Sequence, residues 1–219
     1  MPDPKATSMK NPSGLRVVVT LTAITAIAAA LLAVVDGLTR EKIAQAQLQA
    51  KVDALQALLP PFDNTPQANP FQRVSAFFEV EGAWRVAKDG ANPAACPKGA
   101  FCVYTARAGE EVVGYGVETW TKKGYGGLIK LLVVADARGA ILDFRTLAAK
   151  ETPGLGTKAD EPGFRDQFAG KALGGFGFEV KKDGGDVEAI TSATISSRAY
   201  SEAIAKGLEA IHQAKEGGR

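Results

Sequence analysis

The sequence predicts an α+β protein: an N-terminal transmembrane helix, then one domain with a mainly antiparallel sheet and packed helices. Three observations carry that expectation. Residues 17–35, VVVTLTAITAIAAALLAVV, run nineteen positions without a charge. From about residue 75, stretches rich in Val, Phe, Tyr and Thr alternate with Gly and Asp turns, the pattern of strands joined by hairpins. From about Ala193 to Lys215, Tyr200, Ile204, Leu208 and Ile211 recur at helical spacing and mark the apolar face of a closing helix.

About twenty apolar residues span a bilayer as a helix. Arg16 closes one end of the uncharged run and Asp36 the other. A retained anchor fits this length. A secretory signal peptide cut near Ala28-Ala29-Ala30 is the competing reading, and the apolar run is long for it. Lys5, Lys10 and Arg16 precede the span, while Arg40, Lys42 and Lys51 follow it. The positive-inside count is therefore tied. Cys96 and Cys102 bracket PKGAF and either close a short disulfide loop or remain two buried thiols. A disulfide persists only on the oxidising side of a membrane. Taken together, these features favour a short tail inside and a folded domain outside.

The segments expected are a cytoplasmic tail over 1–16, the transmembrane helix over 17–35, an amphipathic stand-off helix over 36–62 and the domain over 63–219. In the stand-off helix, Ile43, Leu48, Val52, Leu55 and Leu59 form a one-sided stripe, and Pro60-Pro61 stop it. The stripe either holds the domain off the membrane or meets a partner subunit. Within the domain, SAFFEVEGAWRVAKDG reads as strands and a turn. FCVYTARAGEEVVGYGVETW reads as a hairpin turning near Gly109, and LIKLLVVADARGAILDFRTLAA as a second, turning at Asp136 to Gly139. Residues 164–173 are a short helix candidate, and GFGFEVKK a further strand.

Composition excludes several functions. The chain is 46% hydrophobic and 23% charged, so it buries a core rather than remaining disordered. The net charge is +2, and no basic stripe with interleaved aromatics points to nucleic acid. With one histidine and two cysteines, a His/Cys zinc site lacks the roughly four ligands it needs. A Ser-His-Asp hydrolase would have to use His212, on an exposed helix, which leaves that class without a plausible base.

Three segments remain that could carry chemistry. Gly124-Tyr125-Gly126-Gly127 and Glu151-Thr152-Pro153-Gly154-Leu155-Gly156 combine glycines with polar and apolar side chains. Glycines allow close backbone approach to a ligand, although each segment also reads as an ordinary connection. No GxxxxGK[ST] phosphate loop is present. The third segment, EAITSATISSRAY, collects Thr191, Ser192, Thr194, Ser196 and Ser197 at the start of the closing helix. A helix start exposes unpaired N–H groups and a partial positive charge, so a phosphoester on Thr194 would be stabilised there. Ser196 and Ser197 hydroxyls would be further donors. Thr191 or Ser192 as a simple helix cap, worth about 1 kcal/mol, is the compatible alternative.

Together and in this order, the single span, the stand-off helix, GYGG, ETPGLG and the Ser/Thr segment resemble the FMN-binding domain family to which the G subunit of the Rnf electron-transport complex belongs. The same features are similar to the C subunit of the sodium-translocating NADH:quinone reductase. AKETPGLGTKA, with Lys150 and Lys158 flanking the loop, looks more like the Rnf protein. The resemblance implies FMN joined through its phosphate to a threonine within D-x-x-(S/T)-G-A-(T/S), a motif read by a flavin transferase. The matching residues are Glu188-Ala189-Ile190-Thr191-Ser192-Ala193-Thr194, which puts the attachment point on Thr194. Glu188 stands for the usual Asp and Ser192 for the usual Gly. The resemblance further implies that Tyr125, Gly126, Gly127, Glu151, Thr152, Leu155 and Gly156 line the flavin, with Thr191, Ser192, Ala193 and Ser196 around its phosphate.

At the level of an assembly, it implies an electron carrier with no catalytic acid or base of its own. The carrier sits in a bacterial inner membrane with its domain on the periplasmic side. It relays electrons between ferredoxin and NAD, coupled to ion movement, beside other membrane, iron-sulfur and flavin subunits. A membrane-tethered assembly module without cofactor is the rival reading, and it leaves the hydroxyl cluster as capping alone.

Overall fold

A computed structural model of the protein describes residues 14–61, 73–80, 83–86 and 99–216. The chain divides into two compact units, Met1–Leu48 and Gln49–Arg219.

Helix α1 runs over Gly14–Leu58. Its sequence is dominated by Ala and Leu, good helix formers, and it stops before Pro60, which has no N–H to continue the ladder. In the first unit, Arg16–Arg40 is long and apolar enough to cross a membrane, with a mean hydropathy of 2.5. Three of the threonines in this run bond their hydroxyls back to the helix backbone. Thr20 donates to the Arg16 carbonyl at 2.8 Å, Thr25 to that of Leu21 at 3.0 Å, and Thr39 to that of Val35 at 2.7 Å. Such bonds back to the preceding turn make a hydroxyl tolerable in hydrocarbon.

The second unit is built on one six-stranded sheet of order β2-β1-β3-β4-β5-β6. The strands are β1 (Arg73–Val80), β2 (Ala83–Val86), β3 (Phe101–Ala108), β4 (Glu111–Gly124), β5 (Gly127–Asp136) and β6 (Ile141–Ala149). Every neighbouring pair is antiparallel. The two hairpins expected from the sequence are present, and they turn at Gly109 and Gly139, both with positive φ. Strand alternation divides the side chains between two cores. On one face Val103, Val117, Leu131, Val133 and Phe144 pack with Tyr200, Ile204, Leu208 and Ile211 of helix α3 (Thr194–Glu216). The Thr119 hydroxyl on this face donates to the Ala203 carbonyl at 2.7 Å, so a buried polar group is satisfied across the interface.

On the other face Cys102, Tyr104, Ala106, Leu132 and Val134 pack against Leu55 and Leu59. Here the stand-off reading needs correction. The end of the leucine stripe is neither spacer nor partner surface, because it belongs to the domain's own second core. Gly116 faces Leu55, and a Cβ built on Gly114 would lie 2.7 Å from a Leu59 methyl. Two glycines one pleat apart on β4 thus open the groove into which these leucines fit. Ile43 of the same stripe stays exposed, and the Leu48 and Val52 side chains lie outside the described residues.

Two further expectations change. The helix expected over 164–173 shortens to α2 (Pro162–Arg165) and a single 3-10 turn over Asp166–Phe168. Gly170, at φ +73°, then ends it, because the chain turns to pair with β6: the Gly170 N–H reaches the Ile141 carbonyl at 2.7 Å. GFGFEVKK forms no strand in the sheet. Its backbone bonds to its own return segment, with Asp186 N–H to the Gly177 carbonyl at 2.9 Å and Lys181 N–H to that of Val187 at 2.9 Å. Only a single bridge, Val180 to Val187, results. Phe164, Phe168, Phe176 and Phe178 from this region join Phe144 and Tyr200 in one aromatic cluster. That cluster holds the irregular segment on the sheet.

Candidate functional site

The open end of the sheet, where β4 passes into β5, adjoins the start of α3. A cavity of about 460 Å3 lies there, within the roughly 300–1,000 Å3 typical of small-molecule and cofactor sites. All three segments singled out from the sequence meet in it: Tyr125 from the first, Glu151, Thr152, Leu155 and Gly156 from the second, Ser192, Ala193, Thr194 and Ser196 from the third.

The glycines of the first segment serve this convergence. A Cβ on Gly124 would come 2.6 Å from a Glu151 carboxylate oxygen, and one on Gly126 would overlap the Lys150 carbonyl. Gly127 makes the turn at φ +96°, a conformation open to glycine at little cost. Gly126 and Gly127 therefore do not line the cavity. They let the 150–151 backbone lie against the hairpin, and the Gly126 N–H donates to Glu151 Oε1 at 3.2 Å.

Glu151 is the buried centre of the site, only 8% exposed. Its second oxygen, Oε2, accepts from the Ser196 hydroxyl at 2.5 Å. One carboxylate thus ties the β4–β5 turn and the first turn of α3 to the ETPGLG loop. Gly156 packs where a side chain would strike both partners, since a Cβ at this position would lie 2.7 Å from Ser196 Oγ. The loop itself is fixed by Thr157, whose hydroxyl accepts from the Gly154 N–H at 3.0 Å, and by the Leu155 N–H bonding to the Thr152 carbonyl at 3.1 Å.

At the helix start, the first intrahelical bond runs from the Ser197 N–H to the Ala193 carbonyl at 2.9 Å. The N–H groups of Thr194, Ile195 and Ser196 precede that bond and have no acceptor within the helix. Ser197 ties the chain before the helix to its first turn: its Oγ accepts from the Ile190 N–H at 2.9 Å and donates to the Ala193 carbonyl at 3.0 Å. Ser197 and Ser196 have both committed their protons, to Ala193 and to Glu151. The donors open to an anion here are the backbone N–H groups, supported by the helix dipole. Ser192 has φ +63° and is the one non-glycine residue with positive φ among the described residues. A left-handed backbone at this position favours glycine, and that is the residue for which Ser192 stands in the motif. Thr191 is exposed and outside the cavity lining. Thr194 is half-buried and lines the cavity.

Glu188 lies apart from the cavity lining. Its carboxylate pairs with Lys181 at 2.5 Å, and this contact raises the Lys181 ammonium above its ordinary value. Gln167 grips the same residue's backbone, accepting from the Glu188 N–H at 2.7 Å and donating to its carbonyl at 3.2 Å. Cys102 is buried and disulfide-bonded; Cys96 lies outside the described residues.

Sequence reasoning missed Ile195 and Gln167. Ile195 lines the cavity and is 50% exposed. Its signal was an apolar residue off the buried face of an amphipathic helix. Gln167 carried no signal, since its reach to Glu188 exists only after the aromatic cluster folds the chain.

The residues suit a flavin nucleotide. Tyr125, Leu155 and Ile195 offer exposed apolar surface around the cavity, suited to a flat ring. The free N–H groups beside Thr194 suit a phosphate. Among the described residues, no cluster of His, Cys, Asp or Glu suits a metal ion.

Comparison with known proteins agrees. The FMN-binding domain family model matches residues 124–209, and the RnfG N-terminal region matches residues 9–58. The G subunit of the ion-translocating oxidoreductase complex of Pseudomonas aeruginosa (strain UCBPP-PA14) is 35% identical over 185 residues, covering 81% of this chain and 79% of that protein. The corresponding protein of Shewanella baltica (strain OS223) is 43% identical over 106 residues, 46% of this chain; the matched stretch spans 50% of that relative's length. A solved structure, the C subunit of the Na(+)-translocating NADH-quinone reductase of Parabacteroides distasonis, is similar with a TM-score of 0.45 and 22% identity. It covers 63% of this chain and 74% of that one. The chain carries an FMN-binding domain behind a membrane-anchoring helix, and it belongs to the RnfG family, the G subunits of ion-translocating oxidoreductase complexes.

Proposed function

We propose that this protein is a membrane-anchored electron carrier that holds FMN covalently, through a phosphoester to Thr194, as one component of an Rnf-type ion-translocating complex. The observation that supports the reading most is the placement of Thr194. Its half-buried side chain lines a cofactor-sized cavity at a helix start whose first N–H groups lack partners within the helix. When bound, FMN supplies the electron acceptance and donation. The chain's residues bind and orient it. Tyr125, Leu155 and Ile195 flank the ring, the start of α3 faces the phosphate, and Glu151 fixes the loop geometry. Covalent attachment keeps the cofactor from being lost to an open compartment, consistent with a domain on the periplasmic side of a bacterial inner membrane.

In this reading Glu188 and the residues after it are the segment a flavin transferase recognises. Glu188 is exposed, so a maturation enzyme can reach it once the Lys181 pair opens, at the small cost usual for exposed ion pairs. The partners are the other membrane, flavin and iron-sulfur subunits of the complex. The relay runs between ferredoxin and NAD and is coupled to ion movement. The Cys96–Cys102 bond belongs to the same reading, as a disulfide persisting in an oxidising compartment.

The test uses the full-length chain, co-expressed with a flavin transferase, as wild type and as Thr194→Val. Both are run on a denaturing gel under ultraviolet light. A fluorescent wild-type band beside a dark Thr194→Val band is the expected result. Two dark bands, with folded protein and an active transferase, would overturn the covalent reading; only a native protein that also lacks flavin absorbance would favour a cofactor-free assembly module.

A further inference from the structure

We infer that the Glu151 carboxylate is the fixed negative charge that holds the flavin's reduction potential low. The inference rests on the carrier reading above and extends it from where the cofactor sits to what sets its driving force.

Glu151 is 8% exposed and lines the cavity. Its oxygens accept from the Ser196 hydroxyl at 2.5 Å and from the Gly126 N–H at 3.2 Å, both donors. Each treats Glu151 as an acceptor, as a carboxylate is. Among the described residues, no lysine or arginine forms an ion pair with it, although Arg165, Lys181 and Arg198 all pair with acids elsewhere. Its charge is thus offset by two hydrogen-bond dipoles and by no full positive charge.

Burial makes that charge count. Between two charges the interaction scales inversely with the local dielectric constant, so a carboxylate in a cavity wall acts far more strongly than one in solvent. Electron gain by a ring in the cavity adds negative density beside Glu151, and the repulsion disfavours the reduced form. The electrons come from an upstream carrier and pass to a downstream one. No protein bond forms or breaks, and Glu151 itself neither gains nor loses an electron. The surrounding fold protects this arrangement, since a side chain at Gly124 or Gly156 would strike the carboxylate.

The test is a spectroelectrochemical titration of the full-length flavinylated protein in detergent, comparing wild type with Glu151→Gln, Glu151→Asp and Ser196→Ala. Glu151→Gln removes the charge and keeps a hydrogen-bonding group of the same length. Its ratio of reduced to oxidised flavin at fixed applied potential should rise by about tenfold, the order of one unit-charge interaction at an intermediate dielectric. Glu151→Asp keeps the charge and should stay much closer to wild type. Ser196→Ala removes one of the two donors that offset the carboxylate, so its midpoint should move to more negative potential, opposite to Glu151→Gln. A purely structural role moves Glu151→Gln and Ser196→Ala in the same direction.

An unshifted Glu151→Gln, or a Ser196→Ala midpoint that stays put or moves upward, overturns the inference. Should Glu151→Gln fail to take up flavin, the sign of the Ser196→Ala shift decides it: a more negative midpoint upholds the inference and any other overturns it. A fluorescent wild-type band with unshifted variants removes this inference alone. A dark wild-type band removes the covalent linkage alone; a native wild-type protein without flavin absorbance removes the carrier reading, and this inference with it.

Discussion

The Ser196 hydroxyl donates to Glu151 Oε2 at 2.5 Å, across 45 residues of sequence. Both groups are buried. Through this bond the first turn of α3, which carries Thr194, is locked to the ETPGLG loop before any ligand is considered. The site is therefore preformed, and preformed donors and walls lower the ordering cost of binding.

Gly156 sits against both members of that bond. The Gly156→Ala variant places a methyl 2.7 Å from Ser196 Oγ and closer still to the Glu151 carboxylate, and neither partner can yield without breaking the other's contact. Overpacking of this kind costs roughly 1–3 kcal/mol. Thermal unfolding should show the loss, and cofactor loading should fall along with it. An unchanged melting temperature would mean that the loop has another way to relax.

Ser192 holds φ +63°, where a Cβ meets steric resistance of roughly 1–2 kcal/mol. Glycine removes this strain but loses more entropy on folding. Ser192→Gly should therefore raise stability by up to about 1 kcal/mol. Flavinylation should proceed at least as fast as in wild type, because the glycine restores the residue usual in the motif. Chemical denaturation and a fluorescence time course measure the two effects separately.

Leu55 is 2% exposed in the core opposite α3. Truncating a buried leucine to alanine typically costs about 2–5 kcal/mol, so Leu55→Ala should lower the domain's stability by about that much. Gly116→Ala attacks the same contact from the other side by displacing the Leu55 side chain. The two changes share one contact, so their effects should not add in the double variant. Additive losses would argue that Leu55 is not held by this groove.

Tyr200 lies in the aromatic cluster, with its hydroxyl 3.2 Å from Thr146 Oγ1, which in turn donates to Asp160 at 2.8 Å. Burial pushes the Tyr200 phenol up from 10.0 to about 12. A group whose folded value is raised contributes stability in full below its unfolded value and loses it as pH rises towards the folded one. Stability should thus decline between about pH 10 and 12. The Tyr200→Phe variant, with nothing to ionise at this position, should show a shallower decline over that window. A pH series of melting curves tests this, and parallel curves would exclude Tyr200 as the source.

Much of this architecture was legible in the residues themselves. The uncharged run over 17–35, the two hairpins turning at Gly109 and Gly139, and α3 with Tyr200, Ile204 and Leu208 all follow local rules: length, alternation, helical spacing and turn chemistry. The three segments of the cavity were legible too, because glycines, an acidic loop and a hydroxyl-rich helix start are unusual enough to be noticed singly. What local pattern could not supply was partnership. Leu55 and Leu59 form the same stripe whether they face a spacer, a partner or their own sheet, and the choice fell to the sheet because Gly114 and Gly116 open a groove there. GFGFEVKK reads as a strand by residue type, yet no sheet edge receives it, and its backbone is satisfied by its own return segment. Ser196 and Ser197 read alike as donors to a ligand, but folding gave the first to Glu151 and the second to the Ile190–Ala193 turn.

The sequence by itself determined the uncharged apolar helix, the antiparallel hairpins, the closing helix and the three segments that meet at the cavity. Only the tertiary structure decided which of their residues face the cavity, which brace it, and that one buried carboxylate joins all three segments. The reason is physical: propensity and periodicity act over a few neighbouring residues, whereas a hydrogen bond between residues 151 and 196 exists only once two cores have packed on the same sheet.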